Sequence, residues 1–245
     1  MKLYKLLLAI VTITPLAVFA QKEKDAIIKS LDAKADNYTN VARQLWENPE
    51  LGYLEENSSA LLQSELQKAG FKIEKGVAGI PTAFVASYGS GKPVIGILGE
   101  FDALPGMSQE ALPERKPRVA GAPGQACGHH LFGTGSMAAA IAVKEWLASA
   151  KKSGTIRFYG TPAEEGGSGK VYMVREGLFN DVDAIVSWHA GDANAANPST
   201  NLATISGKFR FNGTSSHAAA APEQGRSALD GVEAMNDMVN MMREH

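Results

Sequence analysis

The stretch PVIGILGEFDALP, Pro93–Pro105, decides the fold. Its opening residues are apolar without alternation, as in a strand buried on both faces. They run directly into Gly99-Glu100-Phe101-Asp102, so the strand delivers two carboxylates at its carboxyl end. The same layout recurs downstream. Thr155–Tyr159 leads into Gly160-Thr-Pro-Ala-Glu164-Glu165-Gly-Gly-Ser-Gly169, and Ala184–Trp188, read as another buried strand, leads into His189. Thr82–Ser87 is a further short strand candidate. Between these strands, Leu131–Ala150 is apolar nearly all round, which suits a helix packed inside the protein, and a second helix is expected near Gly169–Glu176. Strands separated by helices predict an α/β fold: a mostly parallel sheet with helices on both faces.

Towards the amino terminus the pattern is helical from about Asp25 to Gln67. Val41, Leu45 and Trp46 share one face, and Pro49 stops that helix. The next helix starts near Ser58, carries Leu61, Leu62, Leu66 and Ala69, and ends at Gly70 as its cap. Lys2 and Lys5 precede an apolar run ending in Val18-Phe19-Ala20, the layout of a cleavable export signal over residues 1–20. Losing those two lysines takes the net charge from −2 to −4. The expected location is therefore periplasmic or secreted, with no membrane association after cleavage. Towards the carboxyl terminus the texture changes near residues 195–204. Ile205–Asn212 alternates as a half-buried strand, and a helix follows from about Ser227 whose Met235, Met238 and Met242 read as core. The domains expected are residues 21–200 and the start of a smaller α+β domain at 201–245, with the chain reading as truncated inside a helix.

Hydrophobic residues make up 44% and charged residues 20% of the 245, an ordinary globular composition without the basic clusters of a nucleic-acid binder. A single cysteine, Cys127, excludes an internal disulfide. It is buried and inert, intermolecular, nucleophilic or metal-bound.

In open parallel sheets, ligands collect beyond the carboxyl ends of the strands. Here four separated segments bring polar groups to that edge: Glu100 and Asp102, Gly124-Gln-Ala-Cys127-Gly-His129-His130, Glu164-Glu165, and His189. Thiolate and imidazole suit zinc, and carboxylate adds tolerance for manganese or cobalt. On extended backbone the adjacent Glu164 and Glu165 cannot both face one point, so one is expected to bind metal while the other reaches a bound water; Pro162 before them and the glycines after them favour a tight functional loop over a solvated helix start. Blander readings exist. His189 suits a core histidine, Asp102 a turn before Pro105, and His217 a plain loop residue. Two rival functions also stand: a thiol hydrolase with Cys127 as nucleophile and His129 or His189 as base, and a non-catalytic exported binding protein.

Gly-Glu-Phe-Asp-Ala-Leu-Pro, Ala-Cys-Gly-His-His, Pro-Ala-Glu-Glu-Gly-Gly and Ser-Trp-His together resemble the metallopeptidase family of aminoacylases, carboxypeptidases and auxin-conjugate amidohydrolases. Gly99–Ser108 and Arg157–Val186 look most like its p-aminobenzoyl-glutamate-hydrolysing branch. The resemblance implies a di-metal aminopeptidase-like α/β domain interrupted by a smaller lid domain that dimerises. It implies two divalent ions, zinc or manganese, with Cys127, His129, Glu165 and His189 as ligands, Glu164 as general base and Asp102 orienting a ligand. Gly213–Gly225 resembles the lid motif whose histidine, here His217, reaches a partner's site. Relatives often carry Asp or Asn where this chain has His130, and a last metal-binding histidine is expected beyond His245. The implied substrates are N-acyl or N-aroyl amino acids, p-aminobenzoyl-glutamate foremost, with aminoacylase or carboxypeptidase-type substrates as the alternative.

Overall fold

Short apolar runs bounded by glycine and proline become the strands of the computed structural model, which describes residues 21–196, 200, 202, 203 and 205–244. The expected export signal lies outside the described residues. The chain divides into two units, Met1–Ala193 and Asn194–His245, so the joint precedes most of the polar segment where composition places it.

The first unit is built on a five-stranded sheet. Its strands are β1 (Lys72–Lys75), β2 (Phe84–Ser90), β3 (Val94–Gly99), β4 (Gly154–Gly160) and β5 (Ala184–Val186), in the order β1-β2-β4-β3-β5. The α/β class is as expected, but the sheet is mixed. β4, β3 and β5 run parallel, whereas β1–β2 and β2–β4 are antiparallel. The reason is connection length: residues 76–83 and 91–93 are too few for a parallel crossover and reverse the chain instead. β1 has no sequence forecast because Lys-Ile-Glu-Lys offers one apolar residue, a short charged edge strand.

Helices cover both faces. α1 (residues 21–32 of the described chain) leads into α2 (Ala35–Glu47) and α3 (Glu56–Lys68), α4 (His129–Ala150) crosses from β3 to β4, and a single irregular turn, α5 (Glu164–Gly167), follows β4. Val41, Leu45, Leu62, Leu66, Met137 and Ile141 pack on Phe84, Ala86, Ile97, Ile156 and Phe158. The alternate strand residues Val85, Leu98 and Tyr159 face the other way, against Val77, Ile80 and Met173 of α6 (Gly169–Arg175). This is the period-two alternation of a strand, with both sides apolar. β5 departs from its expected burial: Ile185 and Val186 are 45% and 56% exposed. It is the edge strand, paired on one side only, with β3.

The parallel strands end level, with Gly99 opposite Gly160 and Val186 opposite Ile97. The segments after these strands therefore emerge at one rim.

In the second unit, α7 (Ala228–Met241) starts where expected, with Ser227 Oγ accepting from the Asp230 N–H at 3.2 Å. The strand expected over 205–212 is not formed among the described residues; the pairing there is a single bridge, Thr214 to Arg226. One alternating segment has no second strand to pair with, and strand structure needs one. Likewise Met238, Met241 and Met242 are exposed rather than core.

Candidate metal centre

Beyond β3 the chain turns inward, and Glu100 and Asp102 are 6% and 1% exposed. Carboxylates buried to that degree need partners. Asp102 finds two: its Oδ1 lies 3.0 Å from His129 Nδ1, and its Oδ2 accepts from the Glu165 N–H at 2.8 Å. Asp102 thereby orients the His129 ring and holds the Glu164-Glu165 turn. Glu100 forms an ion pair with Lys170, which comes from the first turn of α6.

Cys127 and His129 sit where the loop becomes α4. Gly128 between them has φ +84°, a left-handed conformation that glycine adopts freely. Cys127 is half-buried, and its Sγ is 3.4 Å from Nε2 of His189, the residue that follows β5 by way of Ser187 and Trp188. The His129 and His189 rings meet edge to face, centroids 5.6 Å apart. Two candidate ligand sets result, Cys127–His129–His189 and Glu100–His129–Glu164, with His129 common to both.

The Glu164-Glu165 segment is the tight loop that Pro162 and the following glycines suggest. Its backbone is a tight turn, not an extended strand: Ala163 is left-handed at φ +54°, and Glu165 has ψ +89°. The alternation that would send adjacent side chains apart does not apply, and both carboxylates act on the site. Glu164 Oε2 lies 3.9 Å from His129 Nε2, whereas Glu165, expected as a ligand, falls outside both ligand sets and contributes by raising the Cys127 thiol pKa.

Electrostatics follow from so many carboxylates at one rim. The Cys127 thiol is pushed up to about 12, by burial first and then by Glu165, Glu164 and Glu100. His129 would be lowered by burial, but Asp102 and Glu100 outweigh that and raise it to about 10. Glu164 is raised by burial and by its neighbours Glu100 and Glu165, against the opposing pull of Lys170 and His129. The cluster thus carries an excess of anionic groups that a cation would relieve.

His129 Nε2 and Glu100 Oε2 are both buried and face each other at 3.0 Å as an ion-pair contact, and neither has another hydrogen-bond partner. Two facing ligand atoms with no partner but each other, beside a thiol, a second imidazole and Glu164, fit a divalent transition metal. His130, also without a hydrogen-bond partner at its buried Nδ1, is lowered by burial and by His129.

His217 belongs to the second unit. Its Nδ1 accepts from the N–H groups of Ala219 and Ala220 at 3.2 and 3.1 Å, which leaves Nε2 as the protonated nitrogen.

Three residues had no assigned role in the sequence. Glu100 stands inside the recognised motif, and a second acid at a strand end was its available signal. Lys170 had none. Glu55 reads as an acidic helix start, yet it is fully buried: Oε1 accepts from the Ala163 N–H at 2.7 Å and Oε2 from Thr82 Oγ1 at 3.0 Å. It therefore anchors the left-handed residue that sets up Glu164 and Glu165. Gly52 packs there too, since a Cβ on it would stand 3.0 Å from Ala163 Cα.

Fold and rim together define an α/β domain that gathers candidate metal ligands at the carboxyl ends of its parallel strands. The family model described as peptidase family M20/M25/M40 matches residues 96–236, and the chain belongs to that family. Over 88% of its length it is 48% identical to a p-aminobenzoyl-glutamate hydrolase chain of Escherichia coli, of which the match covers 45%. Among solved structures, it is similar to a dinuclear metal-binding peptidase of the M20 family from Bacillus subtilis, with TM-score 0.54 and 29% identity over 63% of this chain and 42% of that one. The aminobenzoyl-glutamate utilization protein of Klebsiella pneumoniae shares the fold, with TM-score 0.55 and 19% identity over 83% of this chain and 56% of that one. The chain spans about half the length of the curated relatives it matches.

Proposed function

We propose that this chain forms part of a metal-dependent hydrolase that cleaves the amide bond of N-acyl or N-aroyl amino acids, p-aminobenzoyl-glutamate foremost. The observation that carries the proposal is the convergence of Cys127, His129 and His189 with Glu100 and Glu164 at one strand-end rim. The 48% identity to a p-aminobenzoyl-glutamate hydrolase chain supports the substrate class.

Cys127, His129, Glu165 and His189 would hold the metal, with Glu100 placed to join them. A bound divalent ion, zinc or manganese and in two copies, supplies polarisation of the scissile carbonyl and a lowered pKa for water. Glu164 takes the proton of the attacking water and passes it to the leaving amine. Its raised pKa suits that double role, because a base that must later act as an acid works best near the operating pH. Asp102 fixes the His129 ring through Nδ1, leaving Nε2 turned to the metal. The reading extends to export, to dimerisation through the second unit, and to His217 stabilising the oxyanion in a partner's site.

The thiol-hydrolase alternative meets an obstacle at Cys127. Reactive cysteines have depressed pKa values, whereas this one is pushed up among carboxylates. The test is inactivation of p-aminobenzoyl-glutamate hydrolysis by the full-length protein. Chelation reversed by added metal supports the proposal; inactivation by thiol alkylation of metal-loaded protein, with chelation harmless, contradicts it.

A further inference from the structure

The loop that joins β3 to α4 does more than carry Asp102 and Cys127. Its outgoing and returning limbs pair at Leu104 and Gly124, each N–H donating to the other's carbonyl at 3.0 Å, and again from the Ser108 N–H to Ala122 O. The tip is tied down by its own side chains. Gln109 Oε1 accepts from the Lys116 N–H at 3.0 Å, its Nε2 donates to Glu114 O at 2.6 Å, and Ser108 Oγ accepts from the Val119 N–H at 3.1 Å. Between this pinned loop and the end of α2 lies a cavity of about 520 Å³, within the range of small-molecule sites.

Two arginines of the tip, Arg115 and Arg118, line that cavity together with Trp46, Met107 and Pro117. The Arg118 guanidinium stands 4.7 Å from the centre of the Trp46 ring, which fixes its position without neutralising it. Neither arginine is paired with a carboxylate among the described residues. The lining runs on to Gln125 and Ala126, and Ala126 is bonded to Cys127, so one edge of the cavity adjoins a candidate metal ligand.

We infer that this cavity binds the side-chain carboxylate of an acidic amino acid, making Arg115 and Arg118 the residues that select N-acyl glutamates over neutral conjugates. Planar guanidiniums on a rigid loop match carboxylate oxygens two at a time, and Trp46 and Met107 offer apolar cover for the methylenes. The inference rests on the amide-hydrolase reading and assigns the residues that would recognise the glutamate side chain, which that reading leaves unassigned.

The experiment uses the full-length, metal-loaded protein and a nearly isosteric pair of probes, p-aminobenzoyl-glutamate and p-aminobenzoyl-glutamine. Wild type should favour the glutamate conjugate through KM. In Arg115→Gln and Arg118→Met the ratio of kcat/KM between the two conjugates should fall about 10–100-fold, the loss of one charge-assisted contact. Arg118→Lys should restore part of it. An unchanged ratio in both variants, with hydrolysis intact, overturns the arginine assignment while leaving the hydrolase reading in place. If wild type hydrolyses neither probe, calorimetric titration with the same two compounds decides. Tighter binding of the glutamate conjugate that the variants lose upholds the cavity and sinks the hydrolase, whereas no preference between the probes sinks the cavity as well.

Discussion

Replacing Glu55 should disturb the site without touching it. In Glu55→Leu, the Ala163 N–H and the Thr82 hydroxyl lose their acceptors inside a buried region. An orphaned buried donor costs about 1–3 kcal/mol. The Thr82 hydroxyl can rotate to another partner but the Ala163 N–H cannot, so the loss should be about 1–3 kcal/mol. Ala163 also carries the left-handed cost of about 1–2 kcal/mol, which this hydrogen bond helps to hold in place. Released, the turn displaces Glu164 and Glu165, and a shift of about 1 Å can lower turnover about 10²-fold. Glu55→Gln separates shape from charge, since its amide oxygen still accepts from Ala163 and its NH₂ meets Thr82. Burial raises the Glu55 pKa, against hydrogen bonds from Ala163 and Thr82, and Asp102 raises it further. A carboxyl whose folded value lies above its unfolded one contributes fully below the unfolded value, about 4.3, and that contribution is lost as pH rises through the folded value. Glu55→Gln lacks this loss, so its stability relative to wild type should improve between about pH 4 and pH 7. Urea unfolding across that pH range and initial rates of hydrolysis near neutrality read both effects. Wild-type unfolding and turnover in Glu55→Leu, or a wild-type pH curve in Glu55→Gln, would refute this reasoning.

Three further outcomes are expected. Cys127→Ser should lower the metal content of purified protein, measured by atomic emission, because a hydroxyl is a poor substitute for thiolate; full occupancy would count against the ligand assignment. Glu164→Gln should cut turnover about 10²–10⁴-fold while metal stays bound, and the same result from Glu165→Gln instead would mean that the pair is reversed. Metal uptake near neutral pH should release protons and strengthen as pH rises, because His129, raised to about 10, and Cys127, raised to about 12, are both protonated without a cation. Calorimetry in buffers of different ionisation enthalpy measures the release, and its absence would show that these two residues are not ligands.

Most of the site's framework is legible in the sequence because its signals are local. Unbroken apolar runs mark β3 and β4, and the polar groups at their ends mark the rim. The features that escape depend on partners that sequence does not display. β1 is nearly all charged, and its strand state comes from pairing with β2. Residues 205–212 show the converse, a strand pattern without a partner. Pro162 and the glycines mark the Glu164-Glu165 loop, but nothing in Pro-Ala-Glu-Glu announces its left-handed alanine, which Glu55 helps to hold from far away in the chain. Glu100 lacks a role in the sequence because only the folded rim places its oxygen against His129 Nε2.

Metal dependence of amide hydrolysis is best tested by titrating metal-free, full-length protein with zinc or manganese while recording p-aminobenzoyl-glutamate hydrolysis and bound metal together. Activity should be negligible at the start, rise in step with occupancy, and saturate near two ions per chain. Full activity in protein stripped of metal would contradict the account.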